Sequence, residues 1–377
     1  MGTCDSSNVN RLKSTFQPDE IEEYDKPTSS KSSNFLPKLS LNSSKNDDSI
    51  HLLKKNNSTD KNSPIDKKQF LLSEKIAKRE NIHKNYKFSK TVLGDGATSQ
   101  VYLAKNKEGK RFAIKKIPKI KILKKPDIAI KEADICLKLD HKNIIKYYEI
   151  YEDLNFIYIV MEQGGTDLFE LIINSPSGII EEELAINILI QIFEAIDYLH
   201  NVVNIVHCDI KPENFVLLYD EETNDLNVKL VDFGNFRIKP INKERLYNFS
   251  GTKEYMAPEV FEQCGFNEKV DEWAAGVIMY NMLTGCDPFS SESDSVYRDN
   301  IRFKDIKFNY IKNEELRELN KKLLNRFMAK RITAKEALIE LNRIKDNINI
   351  NEQFNIKEKI IKSNIWNNRA KQIVNMA

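Results

Sequence analysis

Cysteine is scarce and scattered: five residues in 377, at Cys4, Cys136, Cys208, Cys264 and Cys286. The number is odd and no pair has a C-x-x-C spacing. That usage argues against a disulfide framework or a structural zinc site and fits a reducing, cytosolic compartment. Long apolar runs are also missing. None approaches the roughly 18 residues of a spanning helix, and the start has no apolar signal-peptide core. Net charge is nearly absent, at +2 from 58 basic and 56 acidic residues, so whole-molecule electrostatics point to no nucleic-acid partner. No internal repeat is visible. What is present is 41% hydrophobic residues, enough for a sizeable core, and 30% charged ones, as in soluble proteins. The length exceeds a typical domain of about 100–200 residues. It leaves room for one two-lobed domain with extensions.

Residues 1–84 are rich in Ser, Asn, Lys and Asp, with sparse apolar side chains. Runs such as Pro27-Thr-Ser-Ser-Lys-Ser-Ser bury too little surface to offset ordering entropy, so this segment is expected to be disordered. Its charge is uneven. Residues 1–25 carry two basic and six acidic groups, whereas residues 26–84 carry thirteen basic and six acidic, a net +7. The start, Met1-Gly-Thr-Cys-Asp-Ser, fits M-G-x-x-x-[ST], with Gly2 as the myristoyl acceptor. One myristoyl chain binds membranes only marginally. Cys4 is the candidate for a second acyl chain, and the basic 26–84 region would meet anionic lipid. The expected location is the cytoplasmic face of a membrane, otherwise the cytoplasm.

Order is expected from about Tyr86. Residues 86–92 alternate, Leu93-Gly-Asp-Gly interrupts, and strands resume at 101–104 and 111–117, giving a three-strand antiparallel meander. Helical spacing then places Ala129, Ala133, Cys136 and Leu137 together within residues 126–139, before strands at 144–151 and 156–161. Beyond Gly164-Gly165 the pattern turns helical. Leu184, Ile188, Leu189, Ile192, Phe193, Ile196 and Leu199 share one face of 181–199. Residues 271–284 are apolar nearly all round, as in a core helix, and further helices are expected at 313–329 and 333–344. The fold class is α+β: a small antiparallel β-rich lobe followed by a larger helical lobe.

The chemistry centres on His207-Cys-Asp-Ile-Lys-Pro-Glu-Asn214. Asp232-Phe-Gly follows eighteen residues after Asn214, and Met256-Ala-Pro-Glu comes later. These landmarks have one economical reading. Asp209 accepts a proton from a hydroxyl, Asn214 and Asp232 hold Mg²⁺ against nucleotide phosphates, and Lys211 neutralises the phosphoryl group in transit.

The octapeptide resembles the catalytic loop H-R-D-L-x-x-x-N of eukaryotic protein kinases, with Cys208 in place of the Arg. The resemblance implies a bilobal kinase fold over residues 85–345, with an N-lobe at 85–163 and a C-lobe at 164–345, using ATP and Mg²⁺. The stretch Leu93, Gly94, Asp95, Gly96, Ala97, Thr98, Ser99, Gln100 and Val101 is similar to the phosphate loop G-x-G-x-x-G, with Ser99 in the third glycine's place. Phe112-Ala-Ile-Lys115 matches V-A-I-K, so Lys115 would pair the α/β-phosphates, with Lys116 as its competitor. Its acidic partner on the next helix would be Glu132, with Asp134 the alternative. Met161-Glu162-Gln163 resembles the adenine-binding hinge. Val101, Ala113 and Val216 would sandwich the ring, or simply belong to the core. Glu259 of Ala-Pro-Glu and Arg331 are expected to form a buried ion pair, and with Asp271, Trp273 and Gly276 they are assigned to architecture.

Lys211 is the serine/threonine form. Asp167 and Glu213 match positions that read basic residues near the phosphoacceptor, and Thr252 is expected on the substrate side. Gly265-Phe-Asn-Glu-Lys-Val-Asp-Glu-Trp and Leu283-Thr-Gly-Cys-Asp-Pro-Phe look most like calcium-dependent protein kinases of the calcium/calmodulin-dependent group. However, no D-x-[DN]-x-[DN]-G loop follows the kinase region. The run Asp220-Glu-Glu-Thr-Asn-Asp lacks the required Gly, so direct calcium binding is not expected. The tail, residues 346–377, carries Phe354, Ile360, Ile361, Ile365, Trp366 and Ile373 among Lys357, Lys359, Lys362, Arg369 and Lys371. It reads as a basic amphipathic helix, either autoinhibitory or packed on the large lobe. The expected chain is a monomer acting on basic Ser/Thr proteins. The alternative is a pseudokinase or membrane-anchored scaffold, supported only by Cys208 and Ser99.

Overall fold

The computed structural model describes residues 72–73, 75–96, 98–123, 126–220, 225–240, 244–291 and 293–348. Gly2, Cys4, Ala97, residues 221–224 of the acidic run and the tail beyond residue 348 lie outside the described residues.

The small lobe is a five-stranded antiparallel sheet in the order β1-β2-β3-β5-β4. Its strands are β1 Tyr86–Asp95, β2 Gln100–Asn106, β3 Arg111–Pro118, β4 Tyr147–Glu152 and β5 Phe156–Met161. β1 does not stop at Leu93. Gly94 pairs with Val101, and a register shift between Val92 and Gly94 absorbs the irregularity, so the glycine signal marks a bulge rather than a strand end. Alternation sorts β3 between two apolar clusters. Phe112 and Ile114 join the outer one with Tyr86, Tyr151 and Tyr158, while Ala113 and Ile117 join the main core. Lys115 shares the parity of Ala113, and this turns it toward the cleft. Two helices follow β3: α1 Lys119–Ile122 and α2 Pro126–Cys136. Residues 144–145, expected in β4, instead pair with Leu230 of the large lobe.

The large lobe is built on α4 Glu182–Tyr198 and α6 Lys269–Thr284, after the short α3 Leu168–Asn174 and with the short α5 Pro258–Phe261 between them. α4 ends in a wide turn, Leu199–Val203, stopped by Asn204 in left-handed backbone. α6 is buried along nearly its whole length, as its all-round apolar sequence requires. Around them lie α7 Asp294–Phe303, α8 Glu314–Leu323 and α9 Ala334–Asn347. α7, not expected from the sequence, is short and mostly polar and buries only Tyr297 and Ile301; the Ser293 hydroxyl caps it by accepting from the Val296 amide. α8 is shorter than expected. The chain leaves it at Leu324, and the turn Met328–Lys330 delivers Arg331 to Glu259.

The boundary of the extension also needs correction. Leu72, Ala77 and Ile82, placed by sequence within the disordered segment, are buried. Few apolar residues suffice there because they cover an existing sheet edge rather than build a core.

Candidate functional site

The loop carrying Asp209 runs between two short strands, β6 Ile205–Val206 and β7 Phe215–Tyr219. It is held from below by Asp271 on α6. The Asp271 carboxylate accepts the backbone N–H groups of His207 at 2.7 Å and Cys208 at 2.9 Å, and contacts His200 Nε2 at 2.8 Å. Cys208 sits at φ +66°, a conformation costly for a side chain that bears a Cβ. The two amide bonds to Asp271 hold that strain in place. Burial pushes the Cys208 thiol well above its ordinary pKa, so it is not a nucleophile.

Asp209 projects next. Its Oδ1 accepts both the amide of Thr252, at 2.9 Å, and the Thr252 hydroxyl, at 2.8 Å. Lys211 Nζ donates to the same hydroxyl oxygen at 2.9 Å and lies 3.5 Å from Asp209 Oδ2. Asn214 spends its Nδ2 on the Asp209 carbonyl, at 2.7 Å. Asn235, which the sequence reading did not single out, donates to Asp209 Oδ2 at 3.4 Å and accepts from Ser250 at 2.9 Å. Oδ1 is thus fully engaged, and Oδ2 has only long contacts.

Across the cleft, Lys115 bridges two carboxylates, Glu132 Oε1 at 2.5 Å and Asp232 Oδ1 at 2.7 Å. Both sequence ambiguities resolve here. Lys116 instead lies 3.9 Å from the centre of the Phe156 ring. Asp134 pairs on the surface with Lys138, just past the end of α2. Burial works against the Lys115 charge, but Asp232 and Glu132 outweigh it and raise its pKa above the lysine range. For Glu132, burial is the larger influence and lifts the carboxyl above its ordinary range. Lys115 holds the Asp232 carboxyl down at about 2, helped by the Gly234 amide. Phe233 is buried between them, edge-on to Tyr147 and His207.

Asp232 and Asn214 offer a carboxylate and an amide oxygen. Such hard donors suit Mg²⁺, which takes few protein ligands and completes its shell with water and phosphate. Among the described residues no group of three or more His, Cys, Asp and Glu side chains forms a metal cluster.

The cleft roof is the β1–β2 turn. The Gly96 amide donates to the Ser99 carbonyl at 2.9 Å, so the turn closes with Ser99 in the third glycine's place. Leu93 and Val101 pack against the core, Asp95 and Thr98 are exposed, and Gln100 accepts from the Tyr102 hydroxyl. Ala113 lies opposite Met161 in the β3–β5 register. The Glu162 side chain pairs with Lys229 at 2.8 Å. Gly164 permits close approach: a Cβ there would lie 2.8 Å from Val216.

The two expected substrate carboxylates differ. Asp167 caps α3 by accepting the Glu170 amide at 2.8 Å, while Glu213 is exposed beside the Lys211 loop. Glu259 and Arg331 form the expected buried pair, bidentate at 2.7 and 2.9 Å. His200 escaped the sequence reading as well. Its signal was slight, because a lone His at a helix end looks like any other.

A family model described as the protein kinase domain matches residues 86–340. Calcium/calmodulin-dependent protein kinase type 1 of Caenorhabditis briggsae is 36% identical over 222 residues, 58% of this chain and 60% of the relative. Myosin light chain kinase A of Dictyostelium discoideum is 40% identical over 216 residues, 56% of this chain and 70% of the relative. Calcium-dependent protein kinase 5 of Plasmodium berghei is 35% identical over 241 residues, covering 63% and 42% respectively. The chain thus spans less than two thirds of the length of several relatives. The match covers both lobes, and so takes in the Lys115 cluster and the Asp209 loop alike. The chain belongs to the protein kinase family, with a domain like those of calcium/calmodulin-dependent and calcium-dependent kinases.

Proposed function

We propose that this chain is a serine/threonine protein kinase that transfers the γ-phosphoryl group of ATP to protein hydroxyls. Kinases of this family use ATP and Mg²⁺. Asp209 is the base: Thr252 occupies Oδ1, so Oδ2 takes the hydroxyl proton. The substrate oxygen then bonds to the γ-phosphorus as the bond to the β–γ bridging oxygen breaks, and ADP leaves. Lys211 and Lys115 bring positive charge to the transferred and the α/β-phosphates respectively. Asp232 and Asn214 would hold Mg²⁺, which neutralises phosphate charge when bound. The backbone of 161–163 and the side chains of Ala113, Val101 and Val216 hold the adenine. The observation that carries this reading is Lys115, a buried cation poised between Glu132 and Asp232 at 2.5 and 2.7 Å.

Glu213 would favour basic residues beside the phosphoacceptor, whereas Asp167 acts chiefly as a helix cap. On this reading the described part of the activation loop between Asp232 and Glu259 needs no phosphate to hold it. Cys208 stands where an Arg would bind one, and Asn248 cannot be phosphorylated. Instead the Arg237 guanidinium donates to the carbonyls of Asn235, Phe236 and Asn248 at 2.8, 3.0 and 3.1 Å. Control would come from the tail or the membrane. Acylation at Gly2 and Cys4 would tether the chain, and Gly2→Ala should move it to the soluble fraction; equal membrane fractions would remove the anchor. The test of the activity is Mg-ATP transfer by the full chain to matched Ser, Thr and Tyr peptides with and without basic residues. Phosphate on basic Ser/Thr peptides alone is expected, and transfer to none of them would refute the reading.

A further inference from the structure

Residues 72–84 lie outside the matched kinase domain, yet they are built into the small lobe. β4 is an edge strand of the sheet, and edges present unpaired backbone groups that must be covered. The segment supplies the cover. Lys78 bridges to Tyr151 in parallel, its amide donating to the Ile150 carbonyl at 2.8 Å and its carbonyl accepting from the Glu152 amide at 2.9 Å. Lys78 also pairs with Glu149 through its side chain. At the far end Leu72 is 1% exposed and Ala77 is buried. Both belong to the same apolar core as Ile117 of β3 and Ala129, Ala133 and Cys136 of α2. Arg79 donates to the Leu72 carbonyl at 3.2 Å, folding the segment back on itself.

Glu152 joins this cover to the site. Its carboxylate is buried, and burial of a carboxylate demands donors. One is the Leu72 amide, 3.0 Å from both oxygens; another is Lys119 Nζ, at 2.7 Å and nearly as buried. Lys119 is the first residue of α1, and α1 lies in contact with α2, which carries Glu132. Polar contacts therefore lead from Leu72 through Glu152 to Lys119, on the short helix that adjoins the one carrying Glu132. Without the segment, the buried Glu152 carboxylate loses the Leu72 amide as a donor beside Lys119.

We propose that residues 72–79 are an intramolecular docking strap, and that Leu72 and Glu152 are positioning residues for α2 and hence for Lys115. The inference rests on the kinase reading for its catalytic consequence and on the packing alone for its mechanical one. Removing the strap should leave the peptide site intact and loosen the nucleotide side.

The test uses the full chain with Leu72→Asp, Leu72→Ala, Glu152→Gln and, as the conservative control, Leu72→Met. Two readings are taken well below the melting temperature. One is amide hydrogen exchange of residues 129–136 in the nucleotide-free protein. The other is KM for ATP against KM for peptide. Leu72→Asp and Glu152→Gln should speed α2 exchange and raise KM for ATP by about tenfold, with Leu72→Ala intermediate. Peptide KM should be unchanged, and Leu72→Met should restore both readings. Unchanged α2 exchange and unchanged KM for ATP, even with a lowered melting temperature, would overturn the proposal and reduce the strap to an edge cover. If the parent chain transferred no phosphate, the kinase reading would fall, and the exchange measurement would still decide the strap.

Discussion

Two buried acid–base pairs of this chain look alike and differ in what surrounds them. Glu259 and Arg331 meet bidentately, and Arg331 adds bonds to the carbonyls of Asn325 and Lys269 and lies over the Trp273 ring at 4.9 Å. Every direction around that guanidinium is filled by the protein. Lys115 also meets a carboxylate at hydrogen-bond distance, yet it is shared with a second one, Asp232, whose side chain is 47% exposed. One cation facing two carboxylates leaves a net negative charge on an open cleft wall, and a metal-bound nucleotide can complete it. On the proposed function the closed pair serves the fold, and the pair shared with a solvent-facing third member serves the nucleotide.

The comparison is broken most severely by removing the third member. Asp232→Ala should lower phosphate transfer by roughly three orders of magnitude or more, while thermal melting shifts by only a few degrees. Near-normal transfer by purified protein would mean that the open cluster is merely another closed pair. Glu259→Gln is the converse. It leaves Arg331 buried with a neutral partner, and unfolding free energy in urea should drop by about 3–5 kcal/mol. A loss under 1 kcal/mol would show that the closed pair does not hold the fold.

Much of this was legible in the sequence because spacing transmits it. The alternation of β3 favoured Lys115 over Lys116, and Asp134, two positions round the helix from Glu132, would face elsewhere. The Asp209 octapeptide carried the family resemblance that the domain match bears out. What stayed hidden has physical reasons. α7 is short and mostly polar, with only Tyr297 and Ile301 buried. Asn235 and His200 act through tertiary hydrogen bonds that no local pattern encodes. The strap at 72–79 looked disordered because composition measures whether a segment can form its own core, whereas this one borrows the core of a neighbour.

A smaller effect sharpens the contrast from the side of the large lobe. Burial opposes the His200 charge, but Glu272 and Asp271 raise its pKa from 6.5 to about 10. A folded-state pKa above the unfolded one contributes stability that is complete below pH 6.5 and lost as pH rises through about 10. Urea midpoints should therefore fall across that interval, and the fall should be shallower in His200→Gln. Parallel pH profiles would show that His200 is not a charged partner of Asp271. The smallest expected effect is at the activation loop. With Arg237 holding three carbonyls, Ser250→Ala in bacterially expressed protein should change kcat less than twofold. Dependence of kcat on Ser250 phosphate, lost in the variant, would show that the loop is switched after all.

The central claim is that the open side of this molecule performs chemistry through Asp209, and Asp209→Asn tests it with little change of shape. The measurement is paired on one protein preparation: Mg-ATP affinity by calorimetry, and phosphate transfer to a basic serine peptide. The account predicts affinity within a few-fold of the parent chain, because Lys115 and Asp232 are untouched, and transfer reduced by at least about two orders of magnitude. Transfer that survived the substitution would contradict the assignment of Asp209 as the base.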